Sequence, residues 1–241
     1  MIKVLVNGAK GKIGVTVLQA LRQESDMEIV GDAEIYDKLE DAIQLAHPDV
    51  VVDFTLPQSV YENTKTILQN NCHAVIGTTG LTPQNLKEIA ELAQSKQKCA
   101  LVCPNFSISA VLMMLYAEKI AKYMSSVEII EMHHAQKIDA PSGTSLKTAE
   151  MIAKINPDIN NPQFKPATSQ HSFIHHNIPI HSVRLPGLLA HQEVIFGDAG
   201  QTLIIRQDSL SRESFMPGVM LGIRKAIHLQ GLVYGLENIL D

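Results

Sequence analysis

Over its first hundred residues the chain repeats one unit: a short run of apolar residues, a turn, then a stretch with helical spacing. Residues 2–6 lead to Ile13, Val17, Leu18 and Leu21, spaced for one face of a helix. Residues 27–30 lead to a helical segment over 38–46, stopped by Pro48, and 50–52 with Phe54 lead to another over 60–70. Residues 74–76 precede a helix that Thr82 is placed to cap and Pro83 to open, and 100–102 complete the series. These runs are apolar throughout rather than alternating, as in strands buried on both faces. Separated by helices, such strands predict a parallel sheet with helices on each side.

Beyond residue 104 the rhythm changes. A helix is expected over 109–124, a strand over 127–132, a loop over 133–142 and a helix over 143–155. Residues 156–179 are polar, carry prolines at 157, 162 and 166, and read as a long irregular connection. Three strand-like segments follow at 180–185, 192–196 and 202–207, and a helix over 215–228 closes the chain. Strands able to pair antiparallel after a parallel α/β series predict two domains. The 241 residues allow one or two at about 150 residues each.

Composition narrows the class. With 45% apolar and 19% charged residues the chain is not disordered, and a formal charge of −5 argues against a nucleic-acid binder held by bulk charge. The longest apolar runs fall far short of the roughly 18 residues of a membrane span. The N-terminal residues read as a strand rather than a signal peptide. Cys72, Cys99 and Cys103 form an odd set without a CxxC pair, so neither a disulfide framework nor a zinc ribbon is expected. Reduced thiols and a cytoplasmic location are the expectation.

The first strand runs into Gly8-Ala9-Lys10-Gly11-Lys12-Ile13-Gly14 and straight on into a helix. Glycines let the backbone approach a diphosphate, which the free amides and dipole of a helix start attract. Glu34 stands 20 positions past Gly14, where a dinucleotide site places an acid for a ribose hydroxyl; Asp32 is the weaker candidate. Glycines alone would indicate only a tight strand-to-helix turn. The preceding strand, the immediate helix and the spaced acid together favour a dinucleotide site, hence a Rossmann-like doubly wound domain. Gly77, Thr78 and Thr79 follow the fourth strand, and Cys103, Pro104, Asn105 and Phe106 follow the fifth. Ligands of open α/β sheets bind at these carboxyl ends.

The densest constellation is Glu131-Met132-His133-His134-Ala135-Gln136-Lys137-Ile138-Asp139-Ala140-Pro141-Ser142-Gly143-Thr144: a strand end, a loop with two imidazoles and an ammonium, and a helix start. Ser142, Gly143 and Thr144 can offer hydroxyls and amides to a carboxylate. A histidine can deliver a proton near neutral pH, and a lysine can neutralise an acid or share the transfer. Alone, this could be a polar surface loop with an ordinary serine cap. Beside a dinucleotide fingerprint it suits an enzyme that binds a small anion and protonates it as hydride arrives.

This stretch resembles the signature of the dihydrodipicolinate reductase family, E-x-H-H-x-x-K-x-D-A-P-S-G-T, with every fixed position present. The resemblance runs along nearly the whole chain, through VNGAKGKIG, VVDFTLP, AVIGTTGL, PNFS, IPIHSVRLPGLLAHQEVIFG and SFMPGVMLGIRKA. It implies reduction of 4-hydroxy-tetrahydrodipicolinate to tetrahydrodipicolinate, with hydride delivered to ring C4 and net loss of water, in diaminopimelate and lysine synthesis. His133 would donate and accept the proton and Lys137 would be the second donor, while His134, Gly143 and Thr144 hold the substrate and Ser142 assists. Gly8 to Ile13, Glu34, Gly77 to Thr79 and Cys103 to Phe106 would hold NADH or NADPH. A homotetramer and no metal are implied. So is a nucleotide domain of residues 1–104 and 214–241, with an inserted α+β substrate domain, 105–213, whose mixed sheet is mainly antiparallel.

Two departures stand out. Some relatives carry a basic residue after the ribose-binding acid; here Ile35 stands there, leaving Lys12 and Lys38 as the nearby cations, so use of both nucleotides is expected. Leu185-Pro186-Gly187-Leu188-Leu189-Ala190-His191 replaces the commoner R-x-G-D-I-V-G-E-H pattern after Arg184, a change expected at an interface rather than in the chemistry. Two other functions match parts of the sequence. His171, His175 and His176 cluster in the long connection and would suit a zinc hydrolase, although the chain lacks HExxH. A nucleotide sensor without turnover would not need the His133/Lys137 pair.

Overall fold

The computed structural model describes residues 1–34, 37–160 and 173–240. In chain order the elements are β1 (Ile2–Asn7), α1 (Lys12–Leu21), β2 (Met27–Ala33), α2 (Leu39–Ala46), β3 (Val50–Asp53), α3 (Val60–Gln69), β4 (His73–Ile76), α4 (Pro83–Lys96) and β5 (Cys99–Val102). Then come α5 (Ile108–Ile120), β6 (Ser126–His133), α6 (Gly143–Ile155), β7 (Phe173–His175), β8 (Ile178–Arg184), β9 (Ala190–Asp198), β10 (Gln201–Ser209), α7 (Met216–Ala226) and β11 (Gly231–Tyr234). The chain divides into two compact units, Met1–Ile108 with Arg212–Asp241, and Ser109–Ser211.

The first unit is a parallel six-stranded sheet in the order β11-β5-β4-β3-β1-β2. After β1 the chain steps one way to β2 and then the other way to β3, so the order reverses between β1 and β3. This is the switch point at which carboxyl-end loops diverge and leave room for a ligand. On one face, Leu5, Val51, Ala74, Ile76 and Val102 pack with Val60, Ile67 and Leu68 of α3 and Ile89 and Ala93 of α4, all essentially out of water. On the other, α7 lies close enough that a Cβ on Gly222 would stand 3.0 Å from Leu101 and 3.5 Å from Val75. Both faces are therefore covered, which is why the strands lack alternating polar residues.

The helix starts follow local chemistry. Thr82 accepts from the Asn85 amide at 3.1 Å and Asn85 Oδ1 accepts from the Thr82 amide at 3.0 Å, a reciprocal cap ahead of Pro83. The structure also corrects two expectations. The chain does not end its regular structure in a helix: β11 follows and pairs with β5, Gly231 opposite Cys99 and Tyr234 opposite Val102. A four-residue segment headed by glycine signals a turn in sequence, and only the neighbouring strand makes it one of the sheet. The irregular connection expected over 156–179 does not extend that far, because β7 and the start of β8 lie within it. Residues 161–172, including His171, and Ile35 lie outside the described residues.

His73, at the start of β4, is buried, and its Nδ1 accepts from the Cys99 amide at 3.1 Å. Burial, followed by the Lys98 charge, lowers this imidazole from its ordinary 6.5 to about 4, against the weaker opposing effects of Asp49 and the Ala226 backbone. The unfolded chain takes up this proton below about pH 6.5 and the folded chain only below about 4, so stability rises with pH between those values. The window is worth about 3 kcal/mol. Urea midpoints measured from pH 7 to pH 4.5 should fall more steeply for the natural chain than for His73→Gln. Parallel slopes would contradict this account.

The second unit holds a five-stranded mixed sheet, β10-β9-β6-β8-β7. Only β6 and β8 run parallel; the other pairs are antiparallel. Val127, Ile129, Ile180, Val194 and Phe196 fill its covered side, with Ala149 and Ile152 of α6 also buried. The edge strand β10 exposes Leu203 and Ile204. Among the described residues no helix is long and apolar enough to cross a membrane.

Candidate active site

In the first unit a cavity of about 540 Å³ opens at the carboxyl ends of the central strands. Gly8, Gly11, Lys12 and Ile13 line it from the turn after β1, Glu34 from the end of β2, Phe54 to Pro57 from beyond β3, and Gly77 to Thr79 from beyond β4. The turn is shaped by two glycines. Gly8 has φ +83°, and a Cβ there would stand 2.5 Å from the Phe54 carbonyl oxygen; a Cβ on Gly14 would stand 2.1 Å from the Gly8 carbonyl oxygen. The start of α1 thus lies directly against the turn. Gly11, at its N-cap, has no side chain to occupy the free amides. A backbone cradle and a helix start together fit the diphosphate of a dinucleotide.

Glu34 accepts a hydrogen bond from the Lys10 amide, tying the end of β2 to the glycine turn and keeping its carboxylate on the cavity. Beneath the cavity lies a polar hub that sequence reasoning missed. Asp53, completely buried, accepts from Asn7 at 2.8 Å, Asn63 at 2.9 Å, Thr78 at 2.7 Å and the Thr55 hydroxyl at 2.8 Å. One carboxylate therefore fixes the ends of β1 and β3, the loop after β4 and α3. Asn7 and Asp53 are 46 residues apart in sequence, with no local signal to pair them.

Other expected positions stand differently. Ala9 is buried and Lys10 exposed, and neither lines the cavity. Cys103 and Phe106 are buried; Phe106 packs its ring against Phe54, centroids 5.7 Å apart, behind the lining, and Pro104 and Asn105 also stand outside it. Residues 54–57 line the cavity although sequence reasoning did not select them. The strand-end rule applied to the fourth and fifth strands would have found them after the third.

The second unit gathers the histidine loop. Glu131 and His133, two residues apart on β6, share one face of the strand. The parallel register pairs His133 with Arg184 of β8 and brings that guanidinium beside both. His133 Nδ1 lies 2.5 Å from Glu131 Oε2, and Arg184 donates to both Glu131 oxygens at 2.9 and 2.7 Å. Arg184 also donates at 2.7 Å to the Asp139 carbonyl, anchoring the loop. Burial alone would raise the Glu131 carboxyl, but hydrogen bonds from His133, Arg184 and Ser182 outweigh it and hold it at about 2.

Lys137 pairs with both oxygens of Asp139, at 2.8 and 2.7 Å, and this contact holds the Asp139 carboxyl below the usual range. Ser142 caps α6, accepting from the Ser145 amide at 3.2 Å and donating to the Ser145 hydroxyl at 3.0 Å. Its hydroxyl is thus engaged within the helix. Gly143 is exposed with nothing within 4 Å of a Cβ placed on it, and Thr144 follows on the first turn. His134 Nδ1 is buried with no hydrogen-bond partner among the described residues, an unmet polar atom in the loop after β6. His175 lies 3.6 Å from Glu150 and edge-on to His176. Among the described residues no three His, Cys, Asp or Glu side chains are grouped to hold a metal ion.

All three cysteines are buried free thiols. Burial raises Cys72 to about 11, Cys99 to about 12, and Cys103 further still.

Residues 2–106 match the family described as dihydrodipicolinate reductase, N-terminus, and residues 109–240 match its C-terminus. The chain is 49% identical over 239 residues to a 4-hydroxy-tetrahydrodipicolinate reductase of Coxiella burnetii (strain CbuG_Q212), covering 99% of each chain. It is 46% identical over 262 residues to the enzyme of that name from Listeria innocua, covering 99% of this chain and 100% of the other. Its fold superposes on the dipicolinate-bound dihydrodipicolinate reductase of Paenisporosarcina sp. TG-14 with a TM-score of 0.91, 42% identity and full coverage of both chains.

Proposed function

We infer the work of individual residues from one premise: the chain belongs to the dihydrodipicolinate reductase family. It is a pyridine-nucleotide-dependent oxidoreductase that reduces 4-hydroxy-tetrahydrodipicolinate, in the diaminopimelate and lysine pathway. Two observations, one in each unit, carry the residue assignments: a cavity at the first sheet's switch point with a glycine turn on its wall, and an ordered imidazole–ammonium loop in the second unit.

The amides of the glycine turn, residues 8–13, hold the diphosphate, Glu34 accepts from ribose hydroxyls, and the loops at 54–57 and 77–79 enclose the remainder. The nucleotide supplies the hydride. In the second unit, the amides of Gly143 and Thr144 at the start of α6 bind one carboxylate, with Ser142 holding that helix start in shape. His134 and Lys137 meet the remaining anionic and polar atoms of the dicarboxylate. Lys137 leaves Asp139 to do so, an exchange of one exposed carboxylate for another. His133 moves the proton. In the net reaction the C–O bond at ring C4 breaks, a C–H bond forms there from hydride, and the departing hydroxyl takes up one proton to leave as water.

Both NADH and NADPH are proposed as substrates, without strong preference. Glu34 on the cavity repels a 2′-phosphate, while Lys12 at the start of α1 attracts it. Ile35, the position where some relatives place a base, lies outside the described residues. The ratio of kcat/KM for NADPH over NADH should stay within about tenfold, and Lys12→Ala should lower the NADPH value more. A hundredfold preference for NADPH that survives Lys12→Ala would refute this. The exposed Leu203 and Ile204 on edge strand β10 support assembly through the second unit, proposed as a homotetramer. Light scattering should report four chains, and a monodisperse monomer would count against it. The buried free thiols suit the proposed cytoplasmic location. Substrate-dependent oxidation of NADH, with the unstable substrate generated in situ, tests the function.

A further inference from the structure

Glu131 has no water-facing surface, yet it stands two residues from the proposed proton donor. Its Oε1 accepts from one Arg184 nitrogen, while its Oε2 is shared between the other Arg184 nitrogen and His133 Nδ1. A staple between β6 and β8 would need only the partners on β8, Arg184 and Ser182. The imidazole contact at 2.5 Å, from β6 itself, is more than the staple requires. A carboxylate can only accept, so the contact places the Nδ1 proton toward Glu131. The other ring nitrogen, Nε2, is then left to carry the exchangeable proton.

We propose that Glu131 is a positioning residue for the reaction: its carboxylate holds Nδ1–H of His133, fixing tautomer and ring plane so that Nε2 exchanges the proton, while Arg184 keeps the carboxylate in place. The proposal rests on the reading of His133 as proton donor. Three contacts make the arrangement rigid. Arg184 binds the carboxylate at two points, it binds the Asp139 carbonyl of the loop at 2.7 Å, and His133 and Arg184 are register partners on adjacent strands. The ring cannot rotate about χ2 without giving up the Glu131 contact. Glu131 thus does for His133 what a buried acid does for the imidazole of a hydrolase triad, where loss of the acid's charge leaves the wrong tautomer and large losses in turnover.

The test combines imidazole ¹⁵N NMR of the full chain with steady-state kinetics, for the natural chain, Glu131→Gln and Arg184→Lys. Neutral His133 in the natural chain should show the Nδ1–H form. Glu131→Gln should lose that form or mix it with the other, and kcat should fall about a hundredfold or more with both KM values within about threefold. Arg184→Lys should fall between the two. If Glu131→Gln does not fold because Arg184 is left uncompensated, Glu131→Gln/Arg184→Met removes both charges of the pair and carries the same readout. An Nε2–H form in the natural chain, or a Glu131→Gln chain with unchanged tautomer and kcat, overturns the proposal. The NMR result does not depend on turnover. Full activity in His133→Ala would therefore defeat the proton-donor reading separately, leaving the tautomer measurement standing.

Discussion

His133→Ala should lower kcat by at least about a hundredfold, the usual size of a general acid–base contribution. Affinity for NADH should be unchanged, because the cavity proposed to hold the nucleotide is built from the first unit alone. The fold should survive. His133 is partly exposed at the end of β6, and Glu131 keeps both bonds from Arg184 after the imidazole is gone. Lys137→Ala should show a different signature, lowering kcat to a similar degree and also raising KM for the dicarboxylate substrate, because the ammonium is proposed both to neutralise the substrate and to share proton transfer. Steady-state kinetics with NADH fluorescence titration separate the two. Near-normal turnover in both variants would refute the assigned roles.

Gly14→Ala should have the larger structural effect. A Cβ at this position would stand 2.1 Å from the Gly8 carbonyl oxygen and 2.8 Å from the Ala9 Cα, both backbone atoms that no rotamer change can move aside. Either the glycine turn or the start of α1 must shift. A clash of this kind in a packed region costs about 1–3 kcal/mol, occasionally more. The displaced turn also carries the amides proposed to bind the diphosphate, so NADH affinity should fall by about tenfold or more even in the chain that folds. Gly143→Ala supplies the contrast. Nothing stands within 4 Å of its added Cβ, and alanine is a better helix former than glycine, so stability should hold or rise slightly. NADH binding should be unaffected, whereas KM for the substrate should rise if the carboxylate approaches the amide there. Equal NADH affinities in Gly14→Ala and the natural chain would contradict the proposed cradle.

The contrast between these glycines shows what a linear sequence reveals. Gly8, Gly11 and Gly14 declare themselves because strand, turn and helix are contiguous, and the acid that follows has a spacing set by one β-α-β unit. Ser142 and Pro83 announced helix starts for the same local reason. What stayed hidden depends on partners brought together by the sheets. Glu131 and Arg184 are 53 residues apart and meet only because β6 and β8 pair in parallel register. Asp53 acquires its hub from four residues on separate segments, and β11 becomes a strand only beside β5. The motif points to the histidine, whereas only the tertiary pairing brings Arg184 to the Glu131 carboxylate beside it.

The most direct measurement is the fate of the transferred hydrogen. Turnover with NADH carrying deuterium at both nicotinamide C4 positions, followed by mass spectrometry of the product, should give tetrahydrodipicolinate heavier by one deuterium at ring C4. The His133→Ala chain should form the same labelled product at least about a hundredfold more slowly. Unlabelled product, or labelled product formed as fast by His133→Ala as by the natural chain, would contradict the account.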